Sequence, residues 1–390
     1  MNSTYHVVVI GGGSTGAALV HDLVLRGLKV TLVERGELTS GTAGRHHGLL
    51  HSGGRYAVKD QESAIECIEE NFILRKIAPD SFELNDGLFV AITEEDVAYK
   101  DTFSQGCAEC GIPTKELTAK EALLLEPNLN PETKLAIQVP DATMDCWRLP
   151  MRFFATAKQN GADIRPYTEV IGLLKQNSTV TGVHVRSHIT GKEYDIKADI
   201  VVNATGAWAE KLSEMADARV PVRPTPGVLV AVYGRWNNMV LNRLNRPSDG
   251  DIIVPQRELS VIGTSSWYAP DPDRLGLPMD HVERMYERGS ELVPGVKHAK
   301  MRAAWSAARP LLGEEGAATE GGRDLPRTFK CFDHKERDGI EGLVTITGGK
   351  GTTMRAMAET TADVVCDKLG VDAICRTKEV VLLPYWAYYH

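Results

Sequence analysis

The N-terminal pattern of apolar and polar positions reads as strand, turn, helix and strand in quick succession. Residues 7–10 are an unbroken apolar run and predict a short buried strand. Gly11, Gly13 and Gly16 follow at G-x-G-x-x-G spacing, and "AALVHDLVL" then carries apolar residues at helical spacing until Gly27 stops it. "VTLVE" predicts the next strand, closed by Glu34. Two later stretches repeat the theme. "ADIVVNATGAWAEKL" (198–212) is an apolar strand, a turn and a helix, and "DGIEGLVTITGGKGTTMRAMAETTADVV" is a strand, a glycine pair and a helix. Leading into the first of them, "EVIGLLKQNSTVTGVHVRSHITGKEYDIKADIVVNATG" alternates with Gly and Asn turns and predicts a hairpin meander. Residues 222–234 predict a strand of an antiparallel sheet.

The chain has 390 residues, too many for one ordinary core, so two domains or one domain with a large insertion are expected. It is 43% hydrophobic and 25% charged, with no apolar window long enough to span a membrane. No basic leader precedes the first strand, so no signal peptide is expected. A net charge of −8 argues against a nucleic-acid partner but leaves room for a local cationic cluster that binds a small anion. The seven cysteines (Cys67, Cys107, Cys110, Cys146, Cys331, Cys366 and Cys375) are scattered and odd in number, which reads as reduced thiols in a cytoplasmic protein. Cys107 and Cys110 form a lone C-x-x-C with no second pair, so no metal or iron–sulfur site is expected and the two read as ordinary thiols on a helix.

The first unit has the chemistry of a dinucleotide site. Gly11 makes the tight turn, Gly13 lets a pyrophosphate reach the backbone, and Gly16 lets helix and strand pack closely. The helix N-terminus attracts phosphate, and Glu34 is placed to accept hydrogen bonds from a ribose diol. Thr39, Ser40, Gly41, Thr42 and Ala43 can line the pyrophosphate with hydroxyls and N–H groups. Three separated segments each put a turn at a strand's C-terminal end, where open α/β sheets bind ligands. A long cofactor touched three times fits FAD, and no second G-x-G-x-x-G suggests a separate NAD(P)H domain.

The stretch "GRHHGLLHSGGRY" (44–56) sets three histidines, cations and bare backbone together. With "GLFVAI", "VPDATMD", "VVNATGAW", "NRPSDGDIIVP", "VIGTSS" and "ITGGKGTTMRAMAE", it resembles the flavoprotein superfamily that includes D-amino acid oxidase. More narrowly, the chain is similar to the catalytic subunits of anaerobic glycerol-3-phosphate dehydrogenases, from about residue 7 to about residue 370. The resemblance implies an α/β (α+β overall) fold in which a Rossmann-like FAD-binding domain (1–85, 145–218 and 325–390) interleaves with an antiparallel-sheet substrate, or cap, domain (86–144 and 219–324). It implies noncovalent FAD held by Gly11, Gly13, Ser14, Thr15, Gly16, Glu34, Arg35, Thr42, His47, Gly48, Leu50, Val170, Ala204, Gly206, Gly349, Lys350, Gly351 and Thr352, with Val170 at the adenine end.

It also implies His51 as general base, Arg309 over the flavin favouring the developing carbonyl, and Arg55, Tyr56 and Lys350 on substrate phosphate. On the residues alone, Arg55 reads equally well as paired with a surface acid and His51 as a core histidine. Arg309 has the further reading of a cap for a preceding helix, and Arg355 reads as structural. His46, Trp267, Trp305 and Gly351 depart from the pattern of the relatives, which leaves the exact substrate open.

The expected activity is oxidation of sn-glycerol 3-phosphate to dihydroxyacetone phosphate, with hydride passing from C2 to flavin N5. The alternatives are another polyol phosphate, a 2-hydroxy acid such as 2-hydroxyglutarate, or a non-enzymatic flavin-binding relay or assembly subunit. Electrons are expected to leave to a partner subunit, to quinone or to oxygen. A cytoplasmic protein, held peripherally at the inner membrane through a partner, is the expected location. The aromatic end "LLPYWAYYH" is expected to form a strand against the body or a partner-binding tail.

Overall fold

The computed structural model describes residues 5–313, 322 and 325–390. Residues 1–4 of the expected cofactor domain, and 314–321, 323 and 324 of the expected cap domain, lie outside the described residues.

The apolar runs assemble a six-stranded sheet from distant parts of the chain. Its order is Phe329–Asp333, Leu343–Gly348, Ile200–Asn203, β1 (His6–Ile10), β2 (Lys29–Val33) and Asp163–Arg165. Only Phe329–Asp333 runs antiparallel to its neighbour. Strands buried on both faces read as continuous apolar runs, and Val7, Val8 and Val9 are fully buried. Helix α1 (Ser14–Leu25) returns the chain from β1 to β2. It packs with Arg148–Gln159 and Met354–Leu369 in the largest hydrophobic cluster.

The predicted meander is a three-stranded antiparallel sheet, Thr168–Gln176, Thr179–Ser187 and Glu193–Lys197. A third sheet has eight strands, including Val222–Tyr233 and Met301–Leu312. All its pairs are antiparallel except Val240–Arg243 with Gly87–Ala91. Leu49–Leu50, Ala142–Met144 and Phe82–Glu83 form a small sheet between the two large ones.

Helix α2 (Gln61–Ile77) starts at an Asp60 cap that accepts the Ser63 N–H, and follows directly on the 44–56 stretch. The aromatic end corrects one expectation. It is a 3-10 turn, Tyr385–Tyr389, rather than a strand, and Tyr388 lies against Phe154 of Arg148–Gln159. Among the described residues no helix is long and apolar enough to cross a membrane. Cys107 sits on the helix Glu94–Glu109, Cys110 caps it, and both are free and buried.

Candidate active site

A cavity of about 1200 Å³ runs between the six-stranded and eight-stranded sheets. At one end is the glycine turn. Gly11 has φ of +109°, which a side chain rarely adopts, and a Cβ there would stand 2.7 Å from the Ala204 carbonyl oxygen. A Cβ on Gly16 would collide with the Gly11 carbonyl, so α1 can approach β1 this closely only with glycine. Gly13 is different. A Cβ there would have only Ala43 nearby, at 3.7 Å, so the bare backbone faces the cavity. No side chain caps α1, so its first N–H groups and their dipole are left for a ligand's phosphates. Ser14 and Thr15 line the cavity beside them.

Glu34 directly follows β2 on the same wall, its carboxylate oriented by the N–H groups of Gly12 (2.7 Å) and Gly36 (2.8 Å). Arg35, Thr42, Val170, Ala204 and Gly206 also line this half. An uncapped helix, a bare glycine and an oriented carboxylate in one elongated cavity fit the phosphates and ribose of a dinucleotide.

An acid that no sequence motif marks ties residues together at this end. Asp273, in the loop after Leu259–Gly263, accepts from Arg35 (2.8 Å), Trp208 Nε1 (2.8 Å) and Lys211 (3.0 Å), and Lys211 also reaches Asp271 (2.7 Å). Arg35 stacks on Trp208 with 4.7 Å to the ring centroid. Together they tie the loop after Leu259–Gly263 to the cavity wall.

The other end is basic. His46, His47, His51, Arg55, Tyr56, Arg309 and Lys350 all reach the cavity wall, brought together from three regions of the chain. His46 Nδ1 accepts the Gly48 N–H and His47 Nδ1 accepts the Leu49 N–H, which leaves the proton of each neutral ring on Nε2. Burial lowers His46 to about 4 and His47 to about 3, the latter helped by His46, Arg55 and Arg309. His51 is also held well below 6.5, first by burial, then by His47, Lys350 and Arg55. Its ring lies 5.4 Å from Tyr56 and 6.2 Å from His47.

Arg55 donates to Asp251 at 2.6 Å and to the Ser248 carbonyl at 3.2 Å. The acid that was expected at the surface is therefore a buried one, next to the strand Ile252–Gln256 of the eight-stranded sheet. Lys350 donates to the Arg327 carbonyl (3.0 Å), lies 3.7 Å from Glu66, and sits over the Tyr56 ring. Arg309 lies in the strand Met301–Leu312, so the helix-cap reading is set aside. Its guanidinium donates to the carbonyls of Thr225, Pro226 and Ser265 and to the hydroxyls of Thr264 and Ser266. With most donors already taken, Arg309 acts on the cavity chiefly through its charge. Burial lowers its pKa, Arg327 and Arg55 add to the shift, and Tyr56 opposes it.

Arg327 is a fourth cation on this wall, with its N–H on Asp60. Nothing in "LPRTFK" marks it.

Four expected cofactor contacts stand off the wall. Gly16 serves helix–strand packing. A Cβ on Gly48 would collide with Gln256. Thr352 is buried with its hydroxyl accepting the His51 N–H at 3.1 Å. Leu50 is fully buried in the core while Leu49 faces the cavity. Gly349 and Gly351 do line it, and a Cβ on Gly351 would stand 3.2 Å from His46 Nε2. Two of the four departures from the relatives are thus neighbours, a larger ring at 46 against a bare backbone at 351. Trp305 donates to the Arg45 carbonyl and Trp267 packs on His281, both off the wall. Arg355 is buried against Glu70 and Glu359, a structural pair.

A dinucleotide cradle joined to a basic, histidine-bearing chamber is the architecture of a flavin-dependent oxidoreductase. The chain belongs to the FAD dependent oxidoreductase (DAO) family, which it matches over residues 6–363, and its cofactor is FAD. Among individual proteins, it is 45% identical to the A1 component of the anaerobic glycerol-3-phosphate dehydrogenase of Haloferax volcanii, over 97% of this chain and 66% of that protein. It is 42% identical to the corresponding component of the Escherichia coli K12 enzyme, over 96% of this chain and 69% of that protein. The chain therefore spans about two thirds of these relatives. Among solved structures, the glycerol-3-phosphate dehydrogenase of Bacillus halodurans complexed with FAD matches with a TM-score of 0.75 at 25% identity, over 98% of this chain and 68% of that one. The L-α-glycerophosphate oxidase of Mycoplasma pneumoniae shares the fold, with a TM-score of 0.74 at 19% identity over 96% and 97% of the two chains.

Proposed function

We propose that the chain oxidises sn-glycerol 3-phosphate to dihydroxyacetone phosphate. The observation that carries this reading is the convergence of Arg55, Arg309, Arg327 and Lys350 on one end of a cavity that also holds His51, in a chain of net charge −8. So many cations against the global charge select an anion, and the names of the relatives supply the alcohol phosphate. FAD, when bound, accepts the hydride that leaves C2.

The protein's part is to hold and deprotonate. Arg55, Arg327 and Lys350 bind the phosphate, Arg as a planar fork and Lys as a point charge. Tyr56 fills the wall between His51 and Lys350. His51 takes the C2 hydroxyl proton. Its lowered pKa keeps the imidazole neutral, and so able to accept, throughout the neutral range. Arg309 favours the carbonyl by its positive charge.

The flavin is held without a covalent bond, by Gly11, Gly13, Ser14, Thr15 and Glu34 at its dinucleotide end. His47, Gly349, Lys350 and Gly351 border the chamber end. Both the Haloferax volcanii and the Escherichia coli relatives are named as single subunits of their enzymes. On that ground the electron acceptor is a partner subunit, through which the chain associates peripherally with the inner membrane.

The test is an anaerobic titration of the purified yellow protein with glycerol 3-phosphate, with glycerol and 2-hydroxyglutarate as parallel arms. Bleaching by glycerol 3-phosphate alone is expected. Bleaching by 2-hydroxyglutarate in its place moves the substrate to the 2-hydroxy acids, and a flavin that no alcohol reduces ends the enzymatic reading.

A further inference from the structure

The three backbone groups around the His51 side chain are each held by a different buried side chain. The His51 N–H donates to Thr352 Oγ1 at 3.1 Å. The His51 carbonyl accepts from Asn71 Nδ2 at 3.1 Å, and the same amide reaches the carbonyls of Pro140 (3.0 Å) and Leu50 (3.4 Å). The next N–H, of Ser52, donates to Asp141 Oδ1 at 2.7 Å. Asp141 is 2% exposed and Asn71 is fully buried.

Asp141 is a costly way to hold one peptide. A buried carboxylate loses several kcal/mol of solvation unless a cation or several donors replace the water. Its oxygens have Ser52 and, at 3.4 Å, Asn242. The nearby cation, Arg75, donates instead to the carbonyls of Pro140 and Asp141. Burial raises the carboxyl to about 6, which leaves it largely ionised at neutral pH. The surroundings are cut to fit it, since a Cβ on Gly87 would stand 2.8 Å from Asp141 Oδ2. Asp141 does not line the cavity. A fully buried anion bound to the peptide that follows the candidate base, and to nothing in the cavity, has a geometric task.

We infer that Asp141 and Asn71 are positioning residues that fix the His51 imidazole against the reacting carbon by clamping both ends of the peptide on its C-terminal side. The inference rests on the reading of His51 as the base. Together with Thr352, the clamp removes the backbone freedom that a glycine-rich segment ending in Gly53 and Gly54 would otherwise give the ring.

The experiment compares wild type, Asp141→Leu, Asp141→Asn and Asn71→Ala as FAD-loaded proteins. Anaerobic rapid mixing with glycerol 3-phosphate gives the limiting rate of flavin reduction and the half-saturating concentration. Asp141→Leu frees the Ser52 peptide and should lower the limiting rate about 100-fold, the cost of an ångström-scale misplacement, with half-saturation little changed. Asp141→Asn keeps an oxygen for the Ser52 N–H and should restore most of the rate. The second readout needs no turnover. In histidine-labelled protein, the ¹³Cε1 resonance of His51, assigned by its loss in His51→Asn, should move in Asp141→Leu and return in Asp141→Asn.

A wild-type limiting rate and an unmoved resonance in Asp141→Leu overturn the inference. So does an Asp141→Asn as slow as Asp141→Leu, which would assign the effect to charge. If Asp141→Leu yields no flavin-loaded protein, Asn71→Ala decides by the same split of rate from affinity. If wild type itself is not reduced, the proposed reaction falls, and the resonance alone still decides whether the clamp holds His51.

Discussion

His21 is a histidine in the wrong place for stability, and its cost can be worked out. It sits on α1, the helix whose N-terminus faces the cofactor cavity, fully buried and edge-on to Phe153 at 5.6 Å. Neither ring nitrogen has a hydrogen-bond partner among the described residues, and burial lowers its pKa from 6.5 to about 4. Replacing it with Leu, close in volume, removes a buried donor and acceptor, a gain of about 1–3 kcal/mol at neutral pH. The pH dependence has a definite sign. Below pH 6.5 the unfolded chain binds a proton that the folded chain refuses until about 4, so wild-type stability falls as pH drops through this window. From about pH 8 to about pH 5 this one group removes about 2 kcal/mol, at ~1.36 kcal/mol per pKa unit. The assay is urea unfolding of the FAD-saturated protein, wild type and His21→Leu, across that range. The difference between the two should widen by about 2 kcal/mol toward acid, since every other titration cancels. Parallel pH curves, or a less stable mutant, would refute the argument and show that His21 has a partner in solution.

Three further outcomes are expected. His51→Asn should slow flavin reduction by glycerol 3-phosphate about 100- to 10,000-fold, with little change in half-saturation; in wild type the acid limb of the rate should lie well below pH 6.5, as stopped-flow across pH will show. Arg55→Ala, Lys350→Ala and Arg327→Ala should each raise the half-saturating concentration about 10- to 150-fold, with Arg55→Ala also removing the cation from Asp251, which keeps Ser248; wild-type affinity in all three would remove the phosphate from this wall. Glu34→Ala should weaken FAD retention on dilution, and Asp273→Ala should speed FAD release by cutting the loop free of Arg35, Trp208 and Lys211, both followed by the return of free-flavin fluorescence.

Local patterns carried the cofactor half of this site in the sequence. Gly11, Gly13, Gly16 and Glu34 lie within one strand–helix–strand unit, where each residue's task follows from its neighbours. The basic chamber was legible through motif resemblance, which named His51, Arg55 and Lys350 but not their partners. Arg55 meets Asp251 across 196 residues, and no local pattern encodes that pairing. Arg327 was missed because it is a single cation between a proline and a strand. Leu49 and Leu50 could not be told apart, because a two-residue strand has too few positions for an alternation to show which side faces the cavity. Asp273 was silent for a related reason, since an acid in a loop gains meaning only from what it touches, and "VPDATMD" carried Asp141 into the resemblance without saying which peptide it holds.

The order of strands in the six-stranded sheet sets a schedule for biosynthesis. β1 pairs on one side with β2, which is made almost at once, but on the other with Ile200–Asn203, and the His6 N–H is tied to Asp199 across 193 residues. The next strand, Leu343–Gly348, comes later still and leads into Gly349 and Lys350. The nascent glycine turn therefore leaves the ribosome with one edge of its strand unpaired, an open apolar template until half the chain has followed. Parallel pairings at such separation are slow to close. The cavity cannot have both its ends until about residue 350 has emerged. During that interval the free edge of β1 is open to pairing with another copy of itself.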